Sequence, residues 1–165
     1  MKASFDVQLQ PVDLYRFNMR QNYTTVQGPL SIVMAVVMAV SSVMNFQKCE
    51  YGYGMVYLLA ALLFLVYIPF SLWGRAKKTL RTNEVLAGKL HYEVTSAGIQ
   101  VTSGEDKGLL EWKMVYKVIS DRRYVYVYSN RINAYIIPRE QMQDAYQQFK
   151  SIAQDNLEKY RIKLK

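Results

Sequence analysis

Two long apolar segments without a charged residue constrain this chain more than any other feature of its sequence. Residues 30–46 and residues 55–73 contain no Asp, Glu, Lys or Arg. A helix needs about 20 apolar residues to cross the hydrocarbon core of a bilayer, with a usual range of about 17–25. The sequence therefore predicts two transmembrane helices, a first span at 30–46 and a second at 55–73. The short turn at 47–54 would join them into a hairpin over residues 30–74.

A cleaved signal peptide and a buried hairpin are two less favoured interpretations of these segments. The first span could be a signal peptide, since Ala39, Val40 and Ser41 resemble a small-residue cleavage site. A signal peptide, however, begins with a short basic region, whereas 29 patterned residues come before this span. The second interpretation places a buried helical hairpin in a soluble protein. Two uncharged runs of this length, flanked by positive clusters, argue against it.

The positive charges around the spans predict their orientation. Arg16 and Arg20 precede the first span, Lys48 lies in the turn, and a denser basic cluster follows the second span. Loops on the cytoplasmic side of a membrane carry an excess of Lys and Arg. We therefore expect a multi-pass protein with both termini in the cytoplasm. The net charge is +8, and +7 of it falls in residues 75–165, which suits an anionic membrane surface.

The basic cluster after the second span is the first candidate site. Four cations fall within seven residues: Arg75, Lys77, Lys78 and Arg81. Juxtamembrane Lys and Arg attract anionic lipids by about 1 kcal/mol each near the surface. The cluster is therefore a candidate contact with the inner leaflet. The simpler interpretation is that these charges only orient the helix.

Residues 1–29 predict a strand and an amphipathic helix on the cytoplasmic side. Residues 4–10 alternate between polar and apolar side chains, which is typical of a half-buried strand. This strand is expected to join the sheet of the C-terminal domain. A stripe at helical spacing follows it, made of Val12, Tyr15, Met19, Tyr23 and Val26. Two interpretations of that helix stay open: it lies on the bilayer surface, or it packs on the cytoplasmic domain.

Residues 75–165 predict an α+β domain on the cytoplasmic side. From Leu90 the apolar period is two, with strands expected at 90–96, 99–103, 109–120, 124–129 and 134–137, and a loop at 104–108. The long strand would bury Leu110, Trp112, Met114, Tyr116 and Val118. One helix would close the chain, burying Met142, Tyr146, Phe149, Leu157 and Tyr160. An antiparallel meander followed by one helix favours a small barrel or half-barrel capped by that helix.

Two further features of this domain are candidate partner surfaces. Four cations would lie on the outer face of the sheet or at its next turn: Lys113, Lys117, Arg122 and Arg123. They could form a partner surface, although a solvated basic face is commoner. The alternating residues Tyr124, Tyr126 and Tyr128 could bind a peptide, but such ladders more often pack against neighbouring strands.

The sequence predicts no enzyme. His91 is the one histidine and Cys49 the one cysteine, and no Ser or Cys nucleophile has an evident neighbouring base. A structural zinc site needs four Cys or His ligands, and the loop at 104–108 lacks the GK[ST] ending of a phosphate-binding loop. No nucleic-acid-binding motif is present. We therefore expect no cofactor, no metal and no nucleic acid partner.

The order of these parts resembles the YcxB-like family of bacterial membrane proteins. The likeness rests on PVDLYRFN at residues 11–18 and on LLEWKMVYKVISDRRYVYVYSNRINAYIIPREQM at residues 109–142. The resemblance implies a pleckstrin-homology-like (PH-like) domain on a two-helix anchor in a bacterial cytoplasmic membrane. It implies no activity, because the family has none established.

These patterns together favour a non-enzymatic, membrane-anchored interaction module. Besides the lipid bilayer, its partner would be another protein or a second copy of this chain. The alternative is an envelope-stress or immunity protein that protects against membrane-active peptides.

Overall fold

The computed structural model describes residues 2–164 and divides them into two compact units. The first, called the sheet unit here, combines the N-terminal segment up to Leu14 with everything from Thr79 onward. The second, the helical unit, covers Tyr15–Lys78. The sheet unit is therefore built from two stretches of chain, one before and one after the hairpin in sequence. The expected pairing of the N-terminal strand requires this.

Three helices contribute to the helical unit. They are α1 (Pro11–Thr24), α2 (Gln27–Gln47) and α3 (Tyr51–Thr82). Helices α2 and α3 are both long and apolar enough to cross a membrane, and they contain the two predicted spans. Helix α3 is continuous through Pro69.

The turn between the two long helices is shorter than predicted. Residues 47–54 were expected to form it, but only 48–50 are non-helical. Cys49 has a φ of 59°, the left-handed conformation that reverses the chain within so few residues. Gly52 and Gly54 therefore lie in the first turn of α3, where the cost of helical glycine, about 1 kcal/mol each, is tolerated.

Buried small residues recur every seven positions along the two long helices. They are Gly28, Ala35 and Ser42 in α2 and Gly54 and Ala61 in α3. The hydroxyl of Ser42 donates a 2.7 Å hydrogen bond to the carbonyl of Gly54, which joins the helices next to the turn. A seven-residue repeat keeps a seam facing its partner in a left-handed helix pair.

The spacing of four that relates Ser31, Ala35 and Ala39 does not give a buried stripe, because Ala39 is exposed. A strict repeat of four drifts around the helix, since an α-helix has 3.6 residues per turn.

Helix α1 is shared between the two units. It begins with Pro11, whose fixed φ suits a first helical position. The carboxylate of Asp13 accepts the backbone N–H of Gln10 at 2.8 Å and so caps the helix. Leu14 is buried in the sheet unit. The predicted stripe fails at its C-terminal end, because α1 stops at Thr24 and leaves Val26 exposed.

The first sheet contains the N-terminal strand. Its four strands are antiparallel and run in the order β1 (Ala3–Gln8), β2 (Lys89–Val94), β3 (Gly98–Ser103), β4 (Asp106–Glu111). The pairing of β1 with β2 confirms the expected strand in the N-terminal arm. The predicted loop at 104–108 is shorter, because the pairing of β3 with β4 extends to Asp106.

The second sheet has the order β7-β6-β5-β8. Its members are β5 (Lys117–Ser120), β6 (Tyr124–Tyr128), β7 (Ala134–Pro138) and the short β8 (Ile162–Lys163). The strand predicted at 134–137 extends by one residue, to Pro138. Strand β8, which pairs in parallel with β5, was not expected, since two residues carry no readable period.

The single long strand expected at 109–120 is wrong. A 3-10 turn at Trp112–Met114 divides it, so that the chain leaves the first sheet and enters the second. The indole N–H of Trp112 donates a 2.8 Å hydrogen bond to the carbonyl of Thr95, which holds this turn in place. The turn also shifts the strand period locally, over residues 112–116, and the predicted period resumes in β5, where Val118 is buried as expected.

The shift changes which side chains are buried. Val115 is fully buried, whereas Met114 and Tyr116, both predicted to face the core, are exposed.

The C-terminal helix is divided into shorter segments. After β7 come α5 (Arg139–Met142), α6 (Ala145–Asn156) and a 3-10 turn (Lys159–Arg161). A separate four-residue helix, numbered α4 (Glu84–Ala87), lies earlier in the chain and precedes β2. The predicted core positions Met142, Tyr146, Phe149 and Leu157 are buried. Tyr160 is exposed, because the helix has ended before it.

Candidate functional site

An exposed cluster of aromatic, apolar and basic side chains lies beside the start of β5. It is called the β5 surface here and consists of Met114, Tyr116, Lys117, Tyr160 and Arg161. The exposed fractions of Met114, Tyr116 and Tyr160 are 62%, 44% and 72%. These values are high for large side chains in a domain whose other aromatic residues are largely buried. The β5 surface is therefore the strongest candidate for contact with another molecule.

Two connections hold the C-terminal part of this surface against the rest. Strand β8 pairs in parallel with β5, with Ile162 opposite Val118. The guanidinium of Arg161 donates from Nη1 to the carbonyl of Val115 at 3.5 Å. The 3-10 turn that carries Tyr160 and Arg161 therefore lies beside the turn that carries Met114.

Contacts with tyrosine rings and with a tyrosine hydroxyl hold the basic side chains of this surface in place. The ammonium of Lys117 lies 4.6 Å from the centroid of the Tyr128 ring and 5.6 Å from that of Tyr116. Arg161 donates from Nε to the hydroxyl of Tyr160 at 3.2 Å, and this bond raises the pKa of the guanidinium, with Glu158 adding to the effect. Arg161 therefore stays cationic. Tyr and Arg are the side chains that most often dominate the energy of protein interfaces.

The structure separates the four cations predicted to form one partner surface. Lys117 begins β5 and belongs to the β5 surface, and Lys113 lies in the 3-10 turn that borders it. Arg122 and Arg123 lie in the turn at the other end of the strand, roughly 10 Å farther along at about 3.3 Å per residue. Their turn is fixed by Asp121, whose carboxylate accepts the backbone N–H of Arg123 at 2.8 Å. Two of the four cations therefore lie at the start of β5 and two in the turn that follows the strand.

The basic cluster after the second span lies near the end of α3. Arg75, Lys77, Lys78 and Arg81 are all exposed, while Ala76 and Leu80 between them are buried. The ammonium of Lys77 lies 5.3 Å from the centroid of the Trp73 ring, an aromatic residue of the kind found at membrane interfaces. The four charges are thus spread around the exposed side of the helix and do not share one face.

A polar network that the sequence did not predict lies on β1 and β2. His91 Nδ1 is 2.6 Å from Asp6 Oδ1, and His91 Nε2 is 3.1 Å from the hydroxyl of Ser4. The expectation that no serine has a neighbouring base is therefore wrong. The pairing register explains the arrangement, because Asp6 is directly opposite His91 and Ser4 is two residues away on the same face. Only a known pairing of the two distant strands could have predicted it.

Ionic contacts extend this network. The ammonium of Lys89 lies 2.8 Å from Asp6 Oδ2, and it lowers the pKa of that carboxyl together with His91. Lys2 lies 2.6 Å from Glu93 and lowers the pKa of Glu93 in the same way.

The order of contacts from Ser4 through His91 to Asp6 matches that of serine hydrolases. Such enzymes also need donors for the oxyanion and a site from which water is excluded. Here the side chains of Asp6 and His91 are nearly half exposed, at 44% and 48%, on the outer face of a sheet, and Lys89 shares the carboxylate. The arrangement therefore fits a cross-strand network better than a catalytic site.

The three tyrosines of β6 have a packing role. Tyr124, Tyr126 and Tyr128 are all buried, so the preferred interpretation of the ladder is confirmed. Burial of the Tyr92 hydroxyl in β2 raises its pKa above the ordinary value of 10.0, so it stays protonated. Among residues 2–164, no three Cys, His, Asp or Glu side chains lie together in a way that could hold a metal.

A comparison with protein families supports the likeness seen in the sequence. Residues 94–153 match the family model of the YcxB-like protein. The match begins at the last residue of β2 and ends within α6, so it covers β3 to β7 but not β1, the rest of β2, β8 or the two long helices. The expected family resemblance is thereby confirmed for this segment. No curated protein matches the chain, and no solved structure matches it.

Proposed function

We propose that this chain is a non-enzymatic interaction module, anchored in a bacterial cytoplasmic membrane, that binds a protein partner through the β5 surface. The observation that carries the proposal is the exposure of Met114, Tyr116 and Tyr160 beside two ordered cations. Exposed aromatic residues next to Arg and Lys supply both apolar contact area and charge, which a non-obligate interface needs.

The topology of the sheet unit supports the membrane anchor. Strands β1 and β2 flank the hairpin in sequence and pair with each other, so an anchored chain would keep both ends of the hairpin on one side of the bilayer. Two crossings satisfy this condition, and a single crossing does not. The basic residues at both ends of the hairpin favour the cytoplasmic side.

The strand arrangement also supports a PH-like assignment. Strands β1 to β7, all paired antiparallel, precede a helix whose apolar face is buried. The match to the YcxB-like family covers β3 to β7 and most of this helix, and the resemblance implies the same fold.

The charge of the β5 surface favours a partner with acidic and apolar side chains. Five cations lie on this surface or beside it, and Glu158 is an acidic neighbour. The cations are Lys113, Lys117, Lys159, Arg161 and Lys163. An anionic segment would be attracted to these cations over about 8–10 Å at physiological salt. Apolar side chains of the partner would then cover Met114 and the two tyrosines.

Site-specific photo-crosslinking in native membranes tests this proposal. A photoreactive amino acid would replace Tyr160 in the full-length chain, and mass spectrometry would identify the cross-linked species. We expect one predominant protein partner with an acidic segment. The double variant with Tyr116→Ala and Lys117→Gln should reduce its capture by about tenfold, which corresponds to the loss of one interface hot spot.

The control is Ile132→Ala, which removes an exposed apolar side chain from the turn between β6 and β7. We expect it to leave capture unchanged. Equal losses in both variants, or cross-links to lipid alone, would overturn the proposed partner surface.

A further inference from the structure

A groove inside the helical unit changes from apolar to polar along its length. It has a volume of about 500 Å³ and lies along α2 and α3. Met34, Leu63 and Phe64 line one end, while Asn22, Gln27 and Arg75 line the other. Pockets for small molecules usually have volumes of about 300–1,000 Å³, so this groove is large enough for one ligand.

The length of the groove fits one leaflet of a bilayer. Leu63 and Arg75 are separated by twelve residues of a continuous helix, which at 1.5 Å per residue is about 18 Å. The hydrocarbon core of a bilayer is about 30 Å thick, so one leaflet contributes about 15 Å. An acyl chain lying along the apolar end would place its headgroup at Arg75.

The polar end contains an unpaired acceptor. Asn22 Oδ1 is buried and has no hydrogen-bond partner among residues 2–164. Nearly all buried polar atoms in proteins have a partner, so such an atom points to a missing donor. Gly28 keeps Asn22 close to the start of α2, since a Cβ at this position would lie 2.8 Å from the Asn22 carbonyl oxygen. The acceptor is therefore held at the groove by the packing of the backbone.

We propose that this groove binds one anionic phospholipid with a hydroxylated headgroup. Arg75 binds the phosphodiester, a hydroxyl of the headgroup donates to Asn22 Oδ1, and one acyl chain lies against Met34, Leu63 and Phe64. The charge of Arg75 and the need of Asn22 for a donor select this class of lipid. A phosphocholine headgroup offers Arg75 the same phosphodiester, but its own cation opposes the charge of Arg75 and it has no donor for Asn22. This site goes beyond the partner-binding function and is independent of the β5 surface.

Titration with defined lipids tests the site. The full-length chain in detergent micelles would be titrated with dioleoyl phosphatidylglycerol, and native mass spectrometry would count the bound lipids. We expect saturable binding of one lipid, and weaker binding of dioleoyl phosphatidylcholine. Arg75→Gln should raise the concentration for half occupancy by about tenfold, the effect of losing one charge-assisted hydrogen bond.

The control for charge is Lys78→Gln, which removes a cation from the same part of α3 but not from the groove. We expect it to change the half-occupancy concentration less than twofold. Ser71→Phe should fill the groove and abolish the single bound lipid. Asn22→Leu should remove the preference for phosphatidylglycerol while it retains a folded chain, as checked by circular dichroism and size exclusion.

Three results would overturn the proposal. The first is an equal loss of affinity in Arg75→Gln and Lys78→Gln, which would indicate a diffuse basic surface. The second is binding of many lipids without saturation in the wild-type chain. The third is cross-linking between Leu63 positions of two copies, which would show that a second chain occupies the groove. None of these results depends on the partner of the β5 surface.

Discussion

The hydroxyl of Tyr124 donates a 2.7 Å hydrogen bond to the carboxylate of Asp13, and both groups are buried. The other carboxylate oxygen of Asp13 accepts the backbone N–H of Gln10 at 2.8 Å. One side chain therefore caps helix α1 and ties it to the central strand of the second sheet. This bond joins the N-terminal stretch of the sheet unit to the stretch that follows the hairpin.

The first prediction concerns this bond. Tyr124→Phe leaves a buried carboxylate with one donor fewer, which typically costs about 1–3 kcal/mol. For a domain of this size, each kcal/mol lowers the melting temperature by about 4–8 °C. Thermal unfolding of the full-length chain in detergent, followed by circular dichroism at a β-sheet wavelength, measures the change. Tyr116→Phe, which removes an exposed hydroxyl, should have no effect. Equal melting temperatures for both variants would contradict the role given to the Tyr124 hydroxyl.

The second prediction concerns the pH dependence of stability. Lys89 and His91 hold the pKa of Asp6 below its ordinary value of 3.8. Because the folded state favours ionised Asp6, this pairing stabilises the fold above that pH and is lost as the pH falls through the lowered pKa. The wild-type chain should therefore lose stability below about pH 3.8 more steeply than Asp6→Asn.

Urea unfolding of the full-length chain at several pH values measures this difference. Glu105→Gln, a substitution in the loop between β3 and β4, is the control and should leave the wild-type profile unchanged. Parallel profiles for the wild-type chain and Asp6→Asn would show that the network contributes nothing to acid stability.

The third prediction concerns the glycine that begins β3. A Cβ on Gly98 would lie 2.5 Å from the carbonyl oxygen of Leu110, which is a backbone atom of the paired strand. Gly98→Ala must displace that strand, and we expect a loss of about 1–3 kcal/mol in the free energy of unfolding. Gly108→Ala in the same sheet meets its nearest atom at 3.9 Å and should cost much less. Denaturant unfolding compares the two, and equal stabilities would refute the steric argument.

The fourth prediction concerns the network of Ser4, His91 and Asp6. We expect Ser4 to react no faster with a fluorophosphonate probe than other exposed serines, because its hydroxyl lies on an open sheet face. Mass spectrometry of the labelled peptide measures the reaction, and Ser4→Ala and His91→Gln identify its origin. Selective labelling of Ser4 that is lost in His91→Gln would contradict the proposal that the chain is not an enzyme.

The fifth prediction concerns orientation. Cys49 is exposed in the turn between α2 and α3 and is the one thiol of the chain. A membrane-impermeant maleimide should label it in intact cells from outside the cytoplasmic membrane. The matched control moves the thiol to the sheet unit, by Cys49→Ser together with Glu105→Cys, and should be labelled only after lysis. The opposite pattern would reverse the proposed orientation.

Local periodicity predicts most elements of this structure. The uncharged runs predict α2 and α3, and the alternation at residues 4–10 predicts β1. The four-residue spacing at Met142, Tyr146 and Phe149 predicts the buried face of the C-terminal helices. Each of these depends on a regular repeat of apolar side chains, which the sequence displays directly.

Features that depend on contacts between distant residues could not be predicted in this way. The 3-10 turn after Glu111 is held by a hydrogen bond from Trp112 to Thr95, and without it the alternation favours one continuous strand. The β5 surface follows from that turn, since the shift in phase exposes Met114 and Tyr116. The groove likewise requires knowing which residues of α2 and α3 meet.

The pairing of β1 with β2 has a consequence for the order of synthesis. Gln8 emerges from the ribosome 81 residues before its partner Lys89. At about 5–20 residues per second, the first strand waits roughly 4–16 s for the second. During this interval both long helices are made. If the hairpin is inserted in a membrane as proposed, a chain whose hairpin crosses only once would leave β1 and β2 on opposite sides and could not close the first sheet.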